Sequence, residues 1–171
     1  MNAIKAINVL VLCTGNSARS ILGEALFNHL GVGRVRAYSA GSQPSGRVNP
    51  VALETLEKHG VPLPSDVRSK SWDEFAAPGA PQIDYIFTVC ASAAGETCPI
   101  WPGHPMTAHW GIADPAHIEP MEARREAFEV AYQALEKRIK AFLALDLATM
   151  SAKDVATAAR LIHEAAVEST Q

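Results

Sequence analysis

A run of apolar residues close to the amino terminus, 7–12, restricts the fold of this chain more than any other stretch. A short segment that is apolar at almost every position is typical of a strand buried on both faces, as in a parallel sheet. A turn-like stretch over residues 13–17 follows, and then a helical pattern of apolar residues over 22–30 that stops at Gly31. The sequence therefore predicts a strand, a loop and a helix at the start of an α/β fold.

Further strands and helices alternate along the rest of the chain. Strands are predicted over residues 35–39, 84–90 and, at a sheet edge, 107–110. Helices are predicted from Pro50 to Gly60 with Asn49 as cap, from Ser71 through Phe75 with a Ser71–Glu74 capping box, over 122–147, and from Ser151 onward. This order predicts a four-stranded, mostly parallel sheet with helices on both faces and an extra helix at the carboxyl terminus.

The composition narrows the class of protein. The 171 residues are 48% hydrophobic and fit one domain. Fifteen Lys and Arg against eighteen Asp and Glu give a net charge of -3, which argues against a nucleic-acid partner or a polybasic membrane binder. No apolar run approaches the ~18 residues of a membrane span, and residues 1–6 are too short for a signal peptide. We therefore expect a cytoplasmic protein without membrane or nucleic-acid partners.

The loop after the first strand carries the clearest chemical signal. Cys13 ends the strand and Arg19 follows six residues later, at the start of a helix, where ligands bind in open α/β sheets. Backbone N–H groups in such a loop can converge on an anion, Gly15 lets the backbone turn, and the Arg19 guanidinium matches a tetrahedral oxyanion. These dipoles and a Ser20 hydroxyl favour the nucleophilic thiolate of Cys13. The predicted oxyanion-binding residues are Thr14, Gly15, Asn16, Ser17, Ala18, Arg19 and Ser20.

These residues resemble a known phosphate-binding loop. The sequence from Cys13 to Ser20 is similar to that of the low-molecular-weight protein tyrosine phosphatases, and more so to the arsenate reductases built on the same fold. Tyr38-Ser39-Ala40-Gly41 and Asp114-Pro115 also resemble that family. The resemblance covers residues 7–145 and implies one domain over 1–150, with 151–171 as its helical extension.

The resemblance also implies catalytic roles. Cys13 would be the nucleophile, Arg19 part of the oxyanion cradle, and Asp114 the acid that protonates the leaving oxygen. No metal or other cofactor is expected, because neither Cys-x2-Cys nor His-x3-His spacing occurs in the sequence. Lys70 falls where some related reductases place an acidic group near a structural cation, and a lysine there could replace that cation.

An electron count separates the two activities of this family. A phosphatase needs one cysteine, whereas arsenate reduction requires two electrons, which thiols supply by forming a disulfide. Cys90 and Cys98 are the only other cysteines, and a similar downstream pair marks the thioredoxin-coupled arsenate reductases. The expected relay runs from Cys13 to Cys90 to Cys98. The expected electron donor is thioredoxin, with glutathione and glutaredoxin as the alternative.

The expected walls of the pocket favour the reductase. Ala116-His117 follows Asp114-Pro115, and residues 42–47 contain no aromatic side chain, so nothing here would hold a phenyl ring. Position 18 is Ala, where related phosphatases commonly have a second cysteine. A phosphatase acting on phosphomonoesters remains the alternative enzyme. A non-catalytic oxyanion- or arsenite-binding thiol protein is a third hypothesis, although mere binding does not need the acid.

Overall fold

The computed structural model describes residues 6–64, 67–89 and 106–168. Its strands are β1 (Ile7–Cys13), β2 (Val35–Gly41), β3 (Tyr85–Thr88) and β4 (Met106–His109). Its α-helices are α1 (Arg19–Leu30), α2 (Pro50–Lys58), α3 (Met121–Leu143) and α4 (Ala152–Glu168), and a 3-10 helix covers Trp72–Phe75. Within these ranges the strands form one four-stranded sheet in the order β2-β1-β3-β4, parallel throughout. The predicted fold class is confirmed.

The apolar character of β1 follows from burial on both sides of the sheet. Val9 and Val11 face the larger core cluster with the four α-helices, whereas Leu10 and Leu12 face a smaller cluster. All four side chains are at most 1% exposed. Side chains alternate between the two faces of a strand, so a central strand covered on both faces has to be apolar at consecutive positions.

The smaller core lies beneath the 3-10 helix. Trp72 and Phe75 from this helix pack with Ile83 and Ile86, and Tyr38 contacts the Phe75 ring at a centroid distance of 5.6 Å. Ser71 Oγ accepts from the N–H of Asp73 at 3.1 Å and so caps the helix as predicted. The predicted capping box is wrong in its second half, because the Glu74 carboxylate pairs with Arg68 instead.

Several element ends differ from the predicted ones. Strand β2 continues two residues further, to Gly41, because its whole length pairs with β1. Helix α3 ends at Leu143, four residues before the predicted end, since the chain turns there and lets Leu145 and Leu147 pack against the larger core. The predicted cap of α2 is confirmed, with Asn49 Oδ1 accepting from the N–H of Val51 at 2.9 Å.

Helix α4 packs on the outer side of the sheet beside β4. The indole N–H of Trp110, which is fully buried, donates to the carbonyl oxygen of Ala159 at 2.9 Å. Arg160 donates to the carbonyl oxygen of Thr107 at 3.0 Å, which occupies a backbone group of the edge strand. Among the residues described, no helix is long and apolar enough to cross a membrane.

Candidate active site

The topology places Cys13 where the order of the strands changes direction. Strand β1 lies between β2 and β3, and Cys13 ends it opposite Gly41. The loop from Cys13 leads directly into α1. The N-cap residue of this helix is Ala18, which has no side chain that could accept a hydrogen bond. The first N–H groups of α1 therefore lack a side-chain acceptor at the carboxyl edge of the sheet, where anions bind in such folds.

Two residues of the loop hold the Cys13 thiol. The side chain is buried, 3% exposed, and its Sγ lies 2.9 Å from Ser20 Oγ and 3.2 Å from the N–H of Asn16. Asn16 Nδ2 donates to the same Ser20 oxygen at 2.8 Å, which leaves the Ser20 hydroxyl hydrogen available to Sγ. Two donors directed at one sulfur stabilise a thiolate.

The loop carbonyl groups are bound from outside, by residues of distant segments. Thr14, Gly15 and Ser17 accept backbone hydrogen bonds at 2.8–3.0 Å, and Ser69 Oγ also donates to Gly15. The backbone donors to these carbonyls are Gln43, Ser45 and Asn49. Because C=O and the following N–H point in opposite directions across a trans peptide, these contacts turn the N–H groups of residues 15, 16 and 18 to the opposite side. Backbone N–H groups on one side of a loop are the geometry of an anion-binding nest, and the oxyanion-binding role of these residues stays a prediction.

The tight turn is made by Asn16 rather than by Gly15. Asn16 has a left-handed backbone, with φ of 46°, and its Oδ1 accepts from the N–H of Lys70 at 2.9 Å. Gly15 has no positive φ, and a Cβ there would lie 3.7 Å from the nearest atom, Ser17 Oγ. The expectation that Gly15 is the residue that lets the backbone turn is therefore wrong. The glycine that the loop requires is Gly41, where a Cβ would lie 2.5 Å from the carbonyl oxygen of Thr14.

Arg19 and Asp114 meet at the mouth of the loop. Arg19 Nη1 donates to the carbonyl oxygen of Ile112 at 2.9 Å, and Nη2 lies 3.7 Å from Asp114 Oδ2. Asp114 Oδ1 accepts from the N–H of Ala116 at 2.9 Å. The Arg19 side chain is 14% exposed and that of Asp114 is 42% exposed. A guanidinium held in this way can bind an oxyanion while a carboxyl group beside it reaches solvent.

These groups line one cavity of about 400 Å³. Its lining consists of Cys13, Thr14, Gly15, Ser17, Ala18, Arg19, Ser45, Asn49, Asp114, Ala116 and His117. No Phe, Tyr or Trp occurs among these described lining residues. The arrangement can carry out attack by a thiolate on a small tetrahedral oxyanion, with a nearby carboxyl group to protonate the leaving oxygen.

The structure brings together most, but not all, of the predicted site. Asn16 and Ser20 are fully buried beside Cys13 and do not line the cavity with their side chains. Cys90 and Cys98 lie outside the described residues, so their predicted roles stay predictions. Within the described ranges, no group of three or more His, Cys, Asp or Glu side chains is arranged to hold a metal ion.

A buried ion pair lies behind the loop. Lys70 Nζ is 3.9 Å from Glu24 Oε1, both side chains are under 10% exposed, and Ser39 Oγ donates to the same carboxylate. Lys70 also donates from its backbone N–H to Asn16, which connects the pair to the Cys13 loop. The Lys70 ammonium group is therefore buried beside a carboxylate, and its replacement of a structural cation stays a prediction.

Sequence reasoning missed the residues that hold the loop from outside. Ser45, Asn49 and Ser69 each bond to a loop carbonyl, and His117 Nε2 lies 4.0 Å from Asp114 Oδ2. Serine and asparagine residues in connecting segments occur throughout the chain, so no local pattern distinguishes these positions. Only Asn49 stood out in the sequence, because Asn before Pro50 is typical of a helix cap.

The chain is similar to arsenate reductases and tyrosine phosphatases of known sequence or structure. An "Arsenate reductase" of Shouchella clausii (strain KSM-K16) is 33% identical over 135 residues, which are 78% of this chain and 93% of the relative. The solved "Corynebacterium glutamicum thioredoxin-dependent arsenate reductase Cg_ArsC1'" is 28% identical with a TM-score of 0.55, over 81% of this chain and 64% of that one. A tyrosine phosphatase of Erwinia amylovora is 27% identical with a TM-score of 0.60, over 80% of this chain and 90% of that one.

The match to a family extends over most of the chain. Residues 8–156 match the family described as "Low molecular weight phosphotyrosine protein phosphatase". This range includes the Cys13 loop, all four strands apart from Ile7, and the first residues of α4. It extends beyond residue 145, where the resemblance noted from sequence motifs ended. The chain belongs to the low-molecular-weight phosphotyrosine protein phosphatase family.

Proposed function

We propose that this protein is an arsenate reductase. The observation that carries the proposal is the cavity that joins Cys13, Arg19 and Asp114 without an aromatic wall among its described residues. A small tetrahedral oxyanion fits such a site better than a phosphotyrosine ring, which needs apolar contact on its faces. The curated relative at 33% identity is named an arsenate reductase, in agreement with this choice.

The first step is attack of the Cys13 thiolate on arsenic. A sulfur–arsenic bond forms, an arsenic–oxygen bond breaks, and Asp114 gives a proton to the departing oxygen, which leaves as water. The Arg19 guanidinium and the loop N–H groups hold the remaining arsenic oxygens. Ser20 and the N–H of Asn16, at 2.9 and 3.2 Å from Sγ, stabilise the thiolate before attack.

The second step transfers the electrons. The Cys90 thiolate attacks Cys13 Sγ, so that a Cys13–Cys90 disulfide forms and the sulfur–arsenic bond breaks. The bonding pair remains on arsenic, which leaves as arsenite in the +3 state. The Cys98 thiolate then attacks Cys90, which frees Cys13 and moves the disulfide to Cys90–Cys98. An external dithiol reduces that bond, and thioredoxin is the donor proposed, in line with the thioredoxin-dependent structural neighbour.

Turnover with two substrates tests the activity. We expect arsenate-dependent NADPH oxidation in the presence of thioredoxin and thioredoxin reductase, and much weaker hydrolysis of p-nitrophenyl phosphate. Cys13→Ser should abolish both activities, because an alcohol stays protonated near neutral pH. Efficient phosphate-ester hydrolysis without arsenate reduction would instead identify a phosphatase. Substantial activity in Cys13→Ser would remove Cys13 from the nucleophile's role.

Trapped disulfides test the relay. After arsenate treatment without reductant, mass spectrometry should find Cys90 joined to Cys98 in the unsubstituted protein. Cys98→Ser should stop after one turnover with Cys13 joined to Cys90. Cys90→Ser should release no arsenite through an internal disulfide. Wild-type rates with thioredoxin in both serine variants would contradict the relay and favour an external small thiol as the reductant.

A further inference from the structure

A second cavity, distinct from the one around Cys13, lies between α3, α4 and the segment that carries Asp114. Its volume is about 470 Å³, within the range of small-molecule sites. Its walls are mostly aliphatic, and they include Ile112, Ile118, Val130, Ala134 and Val167. We call it the Arg138 pocket, because Arg138 on α3 is the one cation among its described lining residues.

The Arg138 guanidinium has no carboxylate partner in the described part of the chain. The residue is only 7% exposed, and no Asp or Glu of residues 6–64, 67–89 and 106–168 forms a salt bridge with it. Its Nη1 donates to the carbonyl oxygen of Ala134 at 3.0 Å and its Nε to His163 Nδ1 at 3.2 Å. A buried arginine without an anion is unusual, because charged side chains are rarely buried unless they are paired.

The contact with His163 orients the guanidinium but does not neutralise it. Because Nδ1 accepts the hydrogen bond from Arg138, the imidazole ring in this contact is uncharged. Burial, together with the charges of Arg138 and His109, lowers the pKa of His163, and this outweighs the opposite effect of Glu164. Arg138 and His163 therefore carry one net positive charge, and the His109 ring, 6.0 Å from that of His163, supplies no anion.

The remaining donor of the guanidinium completes a directed site. Nε and Nη1 are occupied by protein acceptors, whereas Nη2 has no hydrogen-bond partner among the described residues. The fork of Arg138 therefore presents a charged donor beside aliphatic walls, and Val130, which is 68% exposed, lies on the open side. A ligand that satisfies both features has one anionic group and an apolar body.

From this arrangement we infer that the Arg138 pocket binds an amphipathic monocarboxylate, an organic acid with an aliphatic or aromatic body. The carboxylate pairs with Arg138, and the apolar body lies along Ile118, Val130 and Val167. The pocket shares Asp114 with the active-site cavity. Because Arg19 faces the Asp114 carboxylate, the negative charge of Asp114 is partly compensated where the two cavities meet.

Calorimetric titration with octanoate tests the inference. Octanoate has both the charge and the apolar body, 1-octanol has the body alone, and acetate has the charge alone. We expect saturable 1:1 binding of octanoate, at least about tenfold tighter than that of either control, since charge-assisted hydrogen bonds and apolar burial both contribute. Equal affinity for octanol, or no saturable octanoate binding, overturns the proposal.

Two pairs of variants locate the site. Arg138→Gln should weaken octanoate binding about tenfold or more, whereas Arg125→Gln should not, since Arg125 lies on the same helix but pairs with Glu54. Val130→Glu keeps Arg138 and adds a repelling charge at the exposed rim, so it should also weaken binding. Val32→Glu, at a position 79% exposed, is its control. Equal binding by Val130→Glu and Val32→Glu overturns the placement, even if Arg138→Gln fails to fold.

Discussion

Asn16 holds the Cys13 loop through one buried amide. Its side chain donates to Ser20, accepts from the N–H of Lys70, and its own N–H points to Cys13 Sγ. Asn28 provides a matched comparison, since its amide also makes two hydrogen bonds, both with Ala37. The two residues differ in two respects: only Asn16 lies in the Cys13 loop, and only Asn16 has a left-handed backbone, whereas Asn28 lies within α1.

We expect Asn28→Ala to lower the free energy of unfolding by about 1–3 kcal/mol, because it loses two hydrogen bonds. Asn16→Ala should lower it further, because alanine is also strained at a φ of 46°. Only Asn16→Ala should also reduce arsenate turnover strongly, since Ser20 and Cys13 lose their orientation. Urea denaturation and steady-state kinetics measure the two effects. Equal turnover in the two variants would show that Asn16 stabilises the fold without positioning the thiol.

Asp114 is the acid in the proposed mechanism, but it also makes contacts that a turn residue would make. Its Oδ1 accepts from Ala116, and its Oδ2 faces Arg19. Asp114→Asn should slow formation of the sulfur–arsenic bond roughly 10²–10⁴-fold, the usual contribution of a general acid. Single-turnover quenching with a thiol-alkylating reagent measures this step. Asp146→Asn, at an exposed position, is the control. Unfolding of Asp114→Asn would assign the residue to the turn instead.

At the scale of elements, the end of β2 fits against the Cys13 loop without room for a side chain. A Cβ on Gly41 would lie 2.5 Å from the carbonyl oxygen of Thr14 and 2.9 Å from the Asn16 nitrogen, both backbone atoms. Gly41→Ala should therefore lower the melting temperature and displace the loop. Gly15→Ala, whose Cβ meets only Ser17 Oγ at 3.7 Å, should melt close to the unsubstituted protein. The reverse order in thermal melts would contradict the placement of the turn.

The junction of α2 and α3 has a pH-dependent contact. Glu129 lies 2.8 Å from His59 Nε2 and 3.4 Å from Lys58 Nζ. Burial alone would raise the pKa of Glu129, but hydrogen bonds from Gln133, His59 and Lys58, with the charge of His59, together lower it. A carboxylate whose pKa is lowered in the folded state stabilises the protein at pH values above the ordinary pKa of 4.5. This contribution is lost as the pH falls through the lowered pKa.

The contact predicts a specific acid response. Glu129→Gln should lower the free energy of unfolding at pH 7 and make it fall less steeply below about pH 4.5, because the variant has no carboxylate to protonate. Glu126→Gln, at an exposed position of the same helix, should keep the original slope. Denaturant titrations at a series of pH values measure both. Parallel curves for the Glu129→Gln variant and the unsubstituted protein would exclude Glu129 from the acid response.

At the scale of the whole molecule, α4 covers the β4 side of the larger core. Val155 and Ala159 of α4 are buried in this core, and the carbonyl oxygen of Ala159 accepts the indole N–H of Trp110. A chain that ends at Met150 should therefore unfold at a lower temperature and expose Trp110, whose fluorescence should shift to longer wavelength. An unchanged melting temperature would show that residues 151–171 are an independent appendage rather than an extension of the domain.

The fold could be predicted from local patterns because those patterns report burial directly. Consecutive apolar residues in β1 reflect coverage on both faces, and the caps Asn49 and Ser71 act within three residues of their own position. The Cys13-to-Arg19 loop is equally local, since it joins the end of β1 directly to the start of α1. Asp114 was found through resemblance to a family, because an Asp-Pro pair alone indicates only a turn.

The sequence by itself determined the strand, the loop and the helix that hold Cys13 and Arg19, because neighbours along the chain make those elements. Only the tertiary structure decided that Asn16 makes the left-handed turn, that Gly41 clears Thr14, and that Ile112 holds Arg19. Each of these depends on a contact between segments 25 to 93 positions apart, and a single sequence carries no record of such pairings. The Arg138 pocket likewise exists only because α3, α4 and the Asp114 segment meet in space.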